Sequence, residues 1–383
     1  MSLARGLLKQ CLKCDGEKVE ITVVTNTPAG GMDDSVLPFR VVRRPGLFQL
    51  GRLVRESDVL DLAGASIPPM ALSLLLGKPF IVEHHGYQSC CPNGILLHQP
   101  DGTICPNYFF ARRYGECFRC NAKGVGRARS ALQIPLLHVR RWLCRRASVN
   151  VAVSQHVGGR IDLPRTTTIF NGGCSAGSPI ERRAIAAPPF LFAYLGRLVP
   201  EKGVSVLLNA AALLLRQTSE FRIRIIGDGP ERKSLEELSH RLGLAANIVF
   251  TGYLQGNPLQ DALADAIAIA MPSTWEEPAG MTAIEQMMQG RLIIASKIGG
   301  LGEMVGDAGL LFEAGNSEEL KECLARVMKE PALAAELGRK AQVRARELFE
   351  EERTVAEHWS VYRRVTAPPA RKGESLDADP LRK

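Results

Sequence analysis

The second half of the chain carries two basic and two acidic residues at spacings that suit a phosphorylated ligand. Arg197 and Lys202 stand five residues apart in LGRLVPEKGV (residues 195–204), directly after a predicted strand that ends at Gly196. Two cations on one strand-to-helix loop can hold a diphosphate. Glu277 and Glu285 stand eight residues apart further along the chain, where they can address different parts of one ligand.

A predicted helix accounts for the spacing of the two carboxylates. Apolar residues recur at helical intervals through EPAGMTAIEQMMQG, so we expect a helix from Gly280 to Gly290, with Glu277 before it and Glu285 one turn inside. The first N–H groups of a helix have no partner within it and attract anions. Those N–H groups belong to Gly280, Met281 and Thr282. A simpler interpretation is that Glu277 only favours the helix dipole.

Short apolar strands alternate with helical segments along the whole chain, which predicts an α/β fold with two doubly wound domains that face a cleft. Several strands are continuously apolar, as in a parallel sheet that is buried on both faces. Ligands of such sheets bind at the carboxyl ends of the strands. The predicted strands are 19–25, 39–43, 58–62, 80–83, 149–153, 167–170, 190–195, 222–226, 248–250, 267–271, 292–295 and 310–312.

Composition along the chain divides it into segments. We expect a first domain over 1–174, a linker rich in proline and small residues over 175–189, and a second domain over 190–352. A helix over 353–366 is expected to pack back toward the first domain, and the polar tail 367–383 is expected to be disordered.

Four motifs in the second half resemble a known family in combination. GRLVPEKGV, IGDGPE, EPAGMTAIEQMMQG and ASKIGGLGEMV look like the donor-binding half of the retaining glycosyltransferases of family 4, which have the GT-B fold. Glu277 and Glu285 match that family's E-x7-E motif, and IFNGG (residues 169–173) resembles its closing strand and turn. The resemblance covers roughly residues 19–365.

The resemblance implies roles for individual residues. Arg197 and Lys202 would bind the diphosphate of a UDP- or GDP-sugar, with Gly196 beside them. Glu277 and the backbone of residues 280–282 would hold the donor sugar and its phosphate, and Glu285 would contact the ribose. His85, at the end of strand 80–83, would contact the donor sugar or stabilise the reacting centre, although most histidines at strand ends are only hydrogen-bonded.

The reaction implied is a retaining transfer of a hexosyl group to a saccharide or lipid-linked acceptor, in the synthesis of cell-surface polysaccharide or glycolipid. We expect same-face substitution, because the first domain offers no convincing nucleophile. A catalytic metal is not expected, since the D-x-D motif occurs only at 377–379, in the tail.

The start of the chain departs from the family pattern. VEITVVT begins at residue 19, and Leu3, Leu7, Leu8 and Leu12 fit one face of a helix, so the family's opening strand and glycine-rich loop are missing. A doubly wound sheet without its central strand would have a gap. Either the start is misassigned or the copy is truncated, and the alternative function is therefore a non-catalytic remnant that binds a sugar nucleotide or a membrane.

A cysteine-rich insertion over about 88–122 follows the strand that ends near His85. Cys91, Cys105, Cys117 and Cys120 could provide four thiolates for a tetrahedral zinc ion. An iron–sulfur cluster, a site that includes Cys11 and Cys14, and unrelated buried thiols are the alternatives. About 28 of these residues show little periodicity, and a metal would organise them.

The net charge of +8 is concentrated in one window. Residues 112–146 contain ten Lys or Arg and one acidic residue, Glu116. The helix expected over 127–146 could rest on an anionic membrane and approach a lipid-phosphate acceptor, or it could be an ordinary solvated face. Nucleic acid is a poor fit, because this window lacks interleaved aromatic residues. Without a signal peptide or spanning segment in the sequence, we expect a cytoplasmic protein, in peripheral contact with the inner face of the membrane.

Overall fold

The structure is a computed structural model that describes residues 19–28, 33–172 and 188–367. The helix predicted on Leu3–Leu12, residues 175–187 of the predicted linker and the tail from residue 368 lie outside the described residues. Within the described ranges, every helix is too short or too polar to span a bilayer.

The first half of the chain forms parallel strands in two separate sheets. A pair, β1–β2, stands apart from a four-stranded sheet with the order β3-β4-β7-β8. In the part of the chain that the structure describes, backbone pairing does not join the two sheets. The strands are β1 Thr22–Thr25, β2 Arg40–Arg43, β3 Leu60–Leu62, β4 Phe80–His84, β7 Val149–Ala152 and β8 Thr166–Thr168.

Both faces of the four-stranded sheet are covered, which explains why β4 and β7 are buried along their whole length. One face packs in a cluster around Phe80 and Val82, and the other around Ile81 and Val151. The helices of this half are α1 Leu47–Glu56, α2 Ile67–Leu75, α3 Tyr114–Val125, α4 Arg127–Cys144 and α5 Gln155–Ile161.

The cysteine-rich insertion is more regular than its sequence suggests. The segment contains an antiparallel hairpin, β5 Leu97–His98 and β6 Thr103–Ile104, and the helix α3. The inward face of α3 consists of Cys117, Cys120 and Asn121, so it has no stripe of large apolar residues to reveal the helix.

The second half contains one parallel sheet of six strands with the order β11-β10-β9-β12-β13-β14. Apolar clusters cover both of its faces. Its strands are β9 Phe190–Leu195, β10 Phe221–Ile226, β11 Ile248–Gly252, β12 Ala266–Met271, β13 Leu292–Ser296 and β14 Leu310–Phe312. Its helices are α6 Val204–Leu215, α7 Arg232–Arg241, α8 Gly256–Leu263, α9 Met281–Met288, α10 Gly299–Val305, α11 Ser317–Lys329 and α12 Pro331–Phe349.

The strand order reverses between β9 and β12, which is the topological switch point of this sheet. The chain runs outward from β9 through β10 to β11, then returns to pair β12 with the other side of β9. A crevice opens at such a point outside the carboxyl ends of the strands. The loops that follow β9 and β12 carry the basic and acidic residues singled out in the sequence.

The last helix, α13 (Glu351–Thr366), lies against the first domain. Its Val361 belongs to the apolar cluster that covers Ile81 and Val151 of the four-stranded sheet. Thr354 donates a hydrogen bond to the carbonyl of Phe170 at 2.9 Å. The chain therefore begins and ends its described part on the same half of the molecule.

Candidate active site

A buried ion pair joins the two loops at the switch point. Lys202 Nζ lies 2.8 Å from Glu277 Oε1, and the Ser273 hydroxyl donates to the same carboxylate oxygen. Glu277 is only 4% exposed, so its charge depends on these partners. The structure thus pairs the cation predicted for a diphosphate with the carboxylate predicted for a sugar.

Close backbone contacts hold these two loops together. Gly203 has φ of +64°, and a Cβ at this position would lie 2.0 Å from the carbonyl oxygen of Pro272. The N–H of Thr274 donates to the carbonyl of Glu201 at 3.0 Å. The position next to Lys202 must therefore be glycine, because a side chain there would push the two loops apart.

The loop after β10 packs on the loop after β9 in the same way. A Cβ on Gly227, whose φ is +140°, would lie 1.8 Å from the carbonyl oxygen of Gly196. A Cβ on Gly229 would lie 2.3 Å from the carbonyl oxygen of Leu198. The G-x-G pair thus allows three loops to meet at the carboxyl edge of the sheet.

Helix α9 starts at this edge with Gly280 as its N-cap and no side-chain cap. The expectation that Met281 offers a free N–H is wrong, because a tight turn directs this group to the carbonyl of Ala279 at 3.0 Å. The carbonyl of Glu277 accepts from the N–H of Gly300 at 2.6 Å, which fixes the loop on the start of α10. Thr282, in the first turn of α9, is half-buried.

Arg197 and Glu285 lie at the solvent side of the site. The Arg197 side chain is 70% exposed, and its guanidinium is 3.9 Å from Glu201, so it is available to a ligand. Its carbonyl accepts a hydrogen bond from the Tyr194 hydroxyl at 2.7 Å, which positions the backbone after β9. Glu285 is exposed, and partial desolvation by the surrounding protein raises the pKa of its carboxyl.

Two adjacent histidines end β4, and their surroundings differ. His84 is buried, and its Nε2–H donates to the Asn150 side-chain oxygen at 3.0 Å, because the Asn150 amide nitrogen is already donating to backbone carbonyls. Burial lowers the pKa of His84 to about 4, so it is a neutral structural group. His85 is exposed, and its Nε2 lies 2.7 Å from Glu83 Oε2. Of the pair, His85 is the histidine that a ligand can reach.

Side chains of the first domain reach the loop that carries Glu277. The Tyr87 hydroxyl donates to the carbonyl of Glu276 at 2.8 Å, and Arg160 Nε donates to the Glu276 carboxylate at 2.9 Å. The start of α5 donates two backbone N–H groups, of Gln155 and His156, to the carboxylate of Glu303 in α10. The sequence motifs gave no indication of these interdomain contacts, since each partner is an unremarkable polar residue on its own.

Glu83 links His85 to the last helix. Its second oxygen, Oε1, lies 3.1 Å from Nε2 of His358, and Nδ1 of His358 lies 2.8 Å from the carbonyl of Thr354. A carbonyl and a carboxylate can only accept, so both ring nitrogens of His358 must carry protons. His358 is therefore an imidazolium cation that is buried against Glu83.

The pKa shifts of this group agree with that assignment. Burial works against both charges, but hydrogen bonds and the opposite charges outweigh it, so the pKa of Glu83 is well below its usual range and that of His358 is raised. Desolvation and then the charge of Glu83 raise the pKa of Asp61, which accepts from the Tyr362 hydroxyl and keeps an exposed outer side. Ligand atoms of Asp61, Glu83 and His358 lie within 4.8 Å of one another, but these hydrogen bonds already occupy them.

Replacing His358 with glutamine is expected to lower the free energy of unfolding by about 2 kcal/mol at pH 6, because a buried carboxylate loses its cation. The folded pKa of His358 is raised above 6.5, so its contribution is complete below that pH and is lost as pH rises through the folded value. Glu83 contributes above pH 4.5 and loses its contribution as pH falls through its lowered folded pKa. The pair therefore stabilises the fold most between pH 4.5 and pH 6.5.

Thermal unfolding from pH 5 to 9 tests this prediction. The native chain should lose stability above pH 6.5, and H358Q should lose less over the same range. The control is H240Q, because His240 is exposed on α7. A parallel pH dependence in H358Q and the native chain would show that the pair does not carry this charge.

The four cysteines predicted as ligands surround one small cavity. Cys91, Cys105, Cys117 and Cys120 all line it, together with His98 and Asn93. Cys90, next to Cys91 in the chain, does not line this cavity. The four cysteines predicted from the sequence therefore lie around one cavity, although they come from two loops and a helix.

The match to a family model concerns the second half of the chain. Residues 179–344 match the family model described as Glycosyl transferases group 1. D-inositol 3-phosphate glycosyltransferase of Rhodococcus jostii is 35% identical over 162 residues, which are 39% of this chain and 36% of that protein. 2-deoxystreptamine glucosyltransferase of Streptomyces kanamyceticus is 33% identical over 141 residues, 36% of each protein. The chain thus matches little more than a third of the length of these two relatives.

Solved structures extend the likeness to both halves of the backbone. HepE from Anabaena, crystallised with UDP and glucose, superposes with a TM-score of 0.62 at 19% identity and covers 85% of this chain and 86% of that one. A glycosyltransferase from Rickettsia africae superposes with a TM-score of 0.66 at 17% identity over 94% of each chain. The protein has the GT-B fold, as expected from its sequence.

Proposed function

We propose that this chain, a GT-B protein whose second half matches the group 1 glycosyl transferases, moves a hexosyl group from a nucleotide-diphosphate sugar to a saccharide or lipid-linked acceptor with retention of configuration. The observation that carries the proposal is the Lys202–Glu277 pair at the switch point of the second sheet, 2.8 Å apart and enclosed by three glycine-containing loops. A cation and a carboxylate fixed together can hold the phosphate and the sugar hydroxyls of one donor.

The charged groups at the carboxyl edge of the second sheet suit a reaction that breaks a sugar–phosphate bond. Negative charge grows on the diphosphate as it leaves, and groups that are already in place stabilise it without reorganisation. Lys202 is held in place by Glu277, and Arg197 is free to swing onto the outer phosphate. The first turn of α9 adds the N–H of Thr282. We assign to Glu285, further along α9, a contact with the ribose of the donor.

We assign to His85 a contact with the donor sugar, from the opposite side of the donor. An ionised Glu83 accepts from its Nε2–H, which leaves Nδ1 as the ring nitrogen for the ligand. The attacking acceptor hydroxyl would approach from the face that the phosphate leaves, with a donor phosphate oxygen taking its proton. UDP is the first donor nucleotide to try, because HepE was crystallised with it.

Helix α4 supports an acceptor at a membrane surface. Its outward face carries apolar side chains, and Trp142 among them stays 49% exposed beneath the guanidinium of Arg146. Arg140 and Arg141 are instead bonded to carbonyls of Gln88 and Ile161, so they are unavailable to lipid. The exposed apolar residues are Leu132, Leu136, Val139 and Trp142, and the exposed basic residues are Arg127, Arg129, Arg145 and Arg146.

This arrangement would place the protein in the cytoplasm, in peripheral contact with the inner face of the membrane. Flotation with vesicles that contain anionic lipid should carry the protein upward. Equal flotation with neutral vesicles would remove anionic lipid from the proposal, and absence of flotation with either would remove the membrane.

Among the described residues of the first domain, backbone pairing does not join its two parallel sheets. This favours a second candidate, a protein that binds a sugar nucleotide without transferring the sugar. Two measurements separate the transferase from the binding protein. The first is calorimetric titration with UDP and GDP. The second is turnover of a panel of UDP- and GDP-sugars, with determination of the anomer of the product. Transfer with the donor's anomeric configuration supports the proposal. Binding without turnover supports the second candidate, and absence of nucleotide binding contradicts both.

A further inference from the structure

The cavity among the cysteines has the size of one small occupant. It measures about 10 Å³, which is the room that a single water-sized particle needs. Four of the residues that line it are Cys91, Cys105, Cys117 and Cys120, and each is less than 9% exposed. Four thiols around a cavity of one-atom size are the ligand set of a structural zinc site. An iron–sulfur cluster would need a much larger space.

Two of the thiols come from turns of the same design. Cys91 and Cys105 are each followed by proline and asparagine, and each turn contains a residue with positive φ, namely Gly94 at +77° and Asn107 at +65°. Such turns let backbone and side-chain groups face the sulfur that precedes them. Asn93 shows this directly, since its side chain lies 2.9 Å from Cys91 Sγ and 3.4 Å from Cys120 Sγ.

The other two thiols come from one face of α3, where the C-x2-C spacing places Cys117 and Cys120 one turn apart. The Cys120 sulfur also accepts from the backbone N–H of Gln99 at 3.4 Å. Groups of this kind around the ligands are what fixes metal-binding thiolates in position. His98 also lines the cavity, and its two ring nitrogens lie 2.9 Å from Asp101 and 3.6 Å from Glu116.

We propose that Cys91, Cys105, Cys117 and Cys120 bind one zinc ion. The ion replaces four thiol protons, which are released to solvent. Cys90, Cys144 and Cys323 take no part, because none of them lines this cavity.

The zinc site would also support the loop that carries Glu277. Arg160 donates to the carbonyl of Cys105 at 2.7 Å and, with its other nitrogen, to the carboxylate of Glu276 at 2.9 Å. A ligand of the metal is thus connected through one guanidinium to the residue next to Glu277. Binding of zinc should therefore stiffen the interdomain contact, and this second consequence rests on the proposed function.

Metal analysis of the purified full chain tests the site without any activity assay. We expect about one zinc per chain, and loss of most of it in C117S and in C120S. The matched control is C90S, which removes a buried thiol beside the site and should keep its zinc. Iron in place of zinc, or equal zinc in the native chain and both variants, would overturn the proposal.

A second measurement covers the case in which the variants fail to fold. Native protein treated with a chelator and then with cobalt should show the absorption of tetrahedral cobalt–thiolate, which disappears when zinc is added back. Absence of that absorption in folded protein would also overturn the proposal. R160Q should retain zinc but bind UDP less tightly than the native chain. Equal UDP affinity in R160Q would remove the interdomain role and leave the zinc site intact.

Discussion

Replacing Lys202 with alanine is expected to lower kcat/KM for the nucleotide-sugar donor by about 10²–10³-fold, the usual cost of losing one fixed group that stabilises developing charge. The lysine is placed before the donor arrives, since its Nζ is 2.8 Å from Glu277. Removing it also leaves a carboxylate that is 4% exposed with Ser273 as its remaining partner at that oxygen. Both changes act at the position proposed for the leaving diphosphate.

The control for this variant is K340A, which deletes the same charge from another ion pair. Lys340 lies 2.7 Å from Asp307, but its side chain is 51% exposed, so we expect kcat/KM within about 2-fold of the native value. Initial rates and calorimetric titration with UDP measure both variants. Equal rates in K202A and K340A would show that the buried pair is structural and that the donor binds elsewhere.

Replacing Gly227 with alanine is expected to lower the free energy of unfolding by at least about 3 kcal/mol, or to prevent folding of the second domain. The added Cβ would meet the carbonyl oxygen of Gly196 at 1.8 Å. That oxygen cannot retreat easily, because the N–H of Gly196 pairs with Ile226 at 3.0 Å and the N–H of Gly227 pairs with Gly252 at 2.9 Å. The collision is therefore between two paired backbones.

Gly64 offers a matched control, since its φ of +131° is close to the +140° of Gly227 but a Cβ added there would find open space among the described residues, with nothing within 4 Å. G64A should cost only the backbone strain, about 1–2 kcal/mol. Calorimetric unfolding of both variants separates strain from collision. If the free energy of unfolding fell by a similar amount in G64A and G227A, the loops after β9 and β10 could move apart without cost.

Much of the candidate site could be predicted because it depends on local pattern. Gly196, Lys202 and Glu277 each follow an apolar strand, and parallel strands bring their carboxyl ends to one edge. The placement of Glu285 relative to Glu277 could be predicted from the period of a helix alone. The GT-B expectation came from motifs that combine several such local patterns.

What could not be predicted depends on contacts between distant parts of the chain. Lys202 and Glu277 are 75 residues apart, and their pairing follows from the return of β12 to the side of β9. His358 gives no signal in a helix of ordinary composition, because its charge depends on Glu83, 275 residues away in the chain. The Met281 N–H was misjudged because a tight turn at Ala279 is invisible to a helical period.

The position of α13 has a consequence for the order in which this protein can mature on the ribosome. Glu83 and His358 are separated by 275 residues, so the first domain is translated long before its buried carboxylate meets a cation. Domains usually fold in the order of their synthesis, and contacts between distant residues form late. The nascent first domain should therefore remain open and dependent on chaperones until the final helix emerges. A nonsense mutation just before residue 351 would then damage the half of the protein that had been made first.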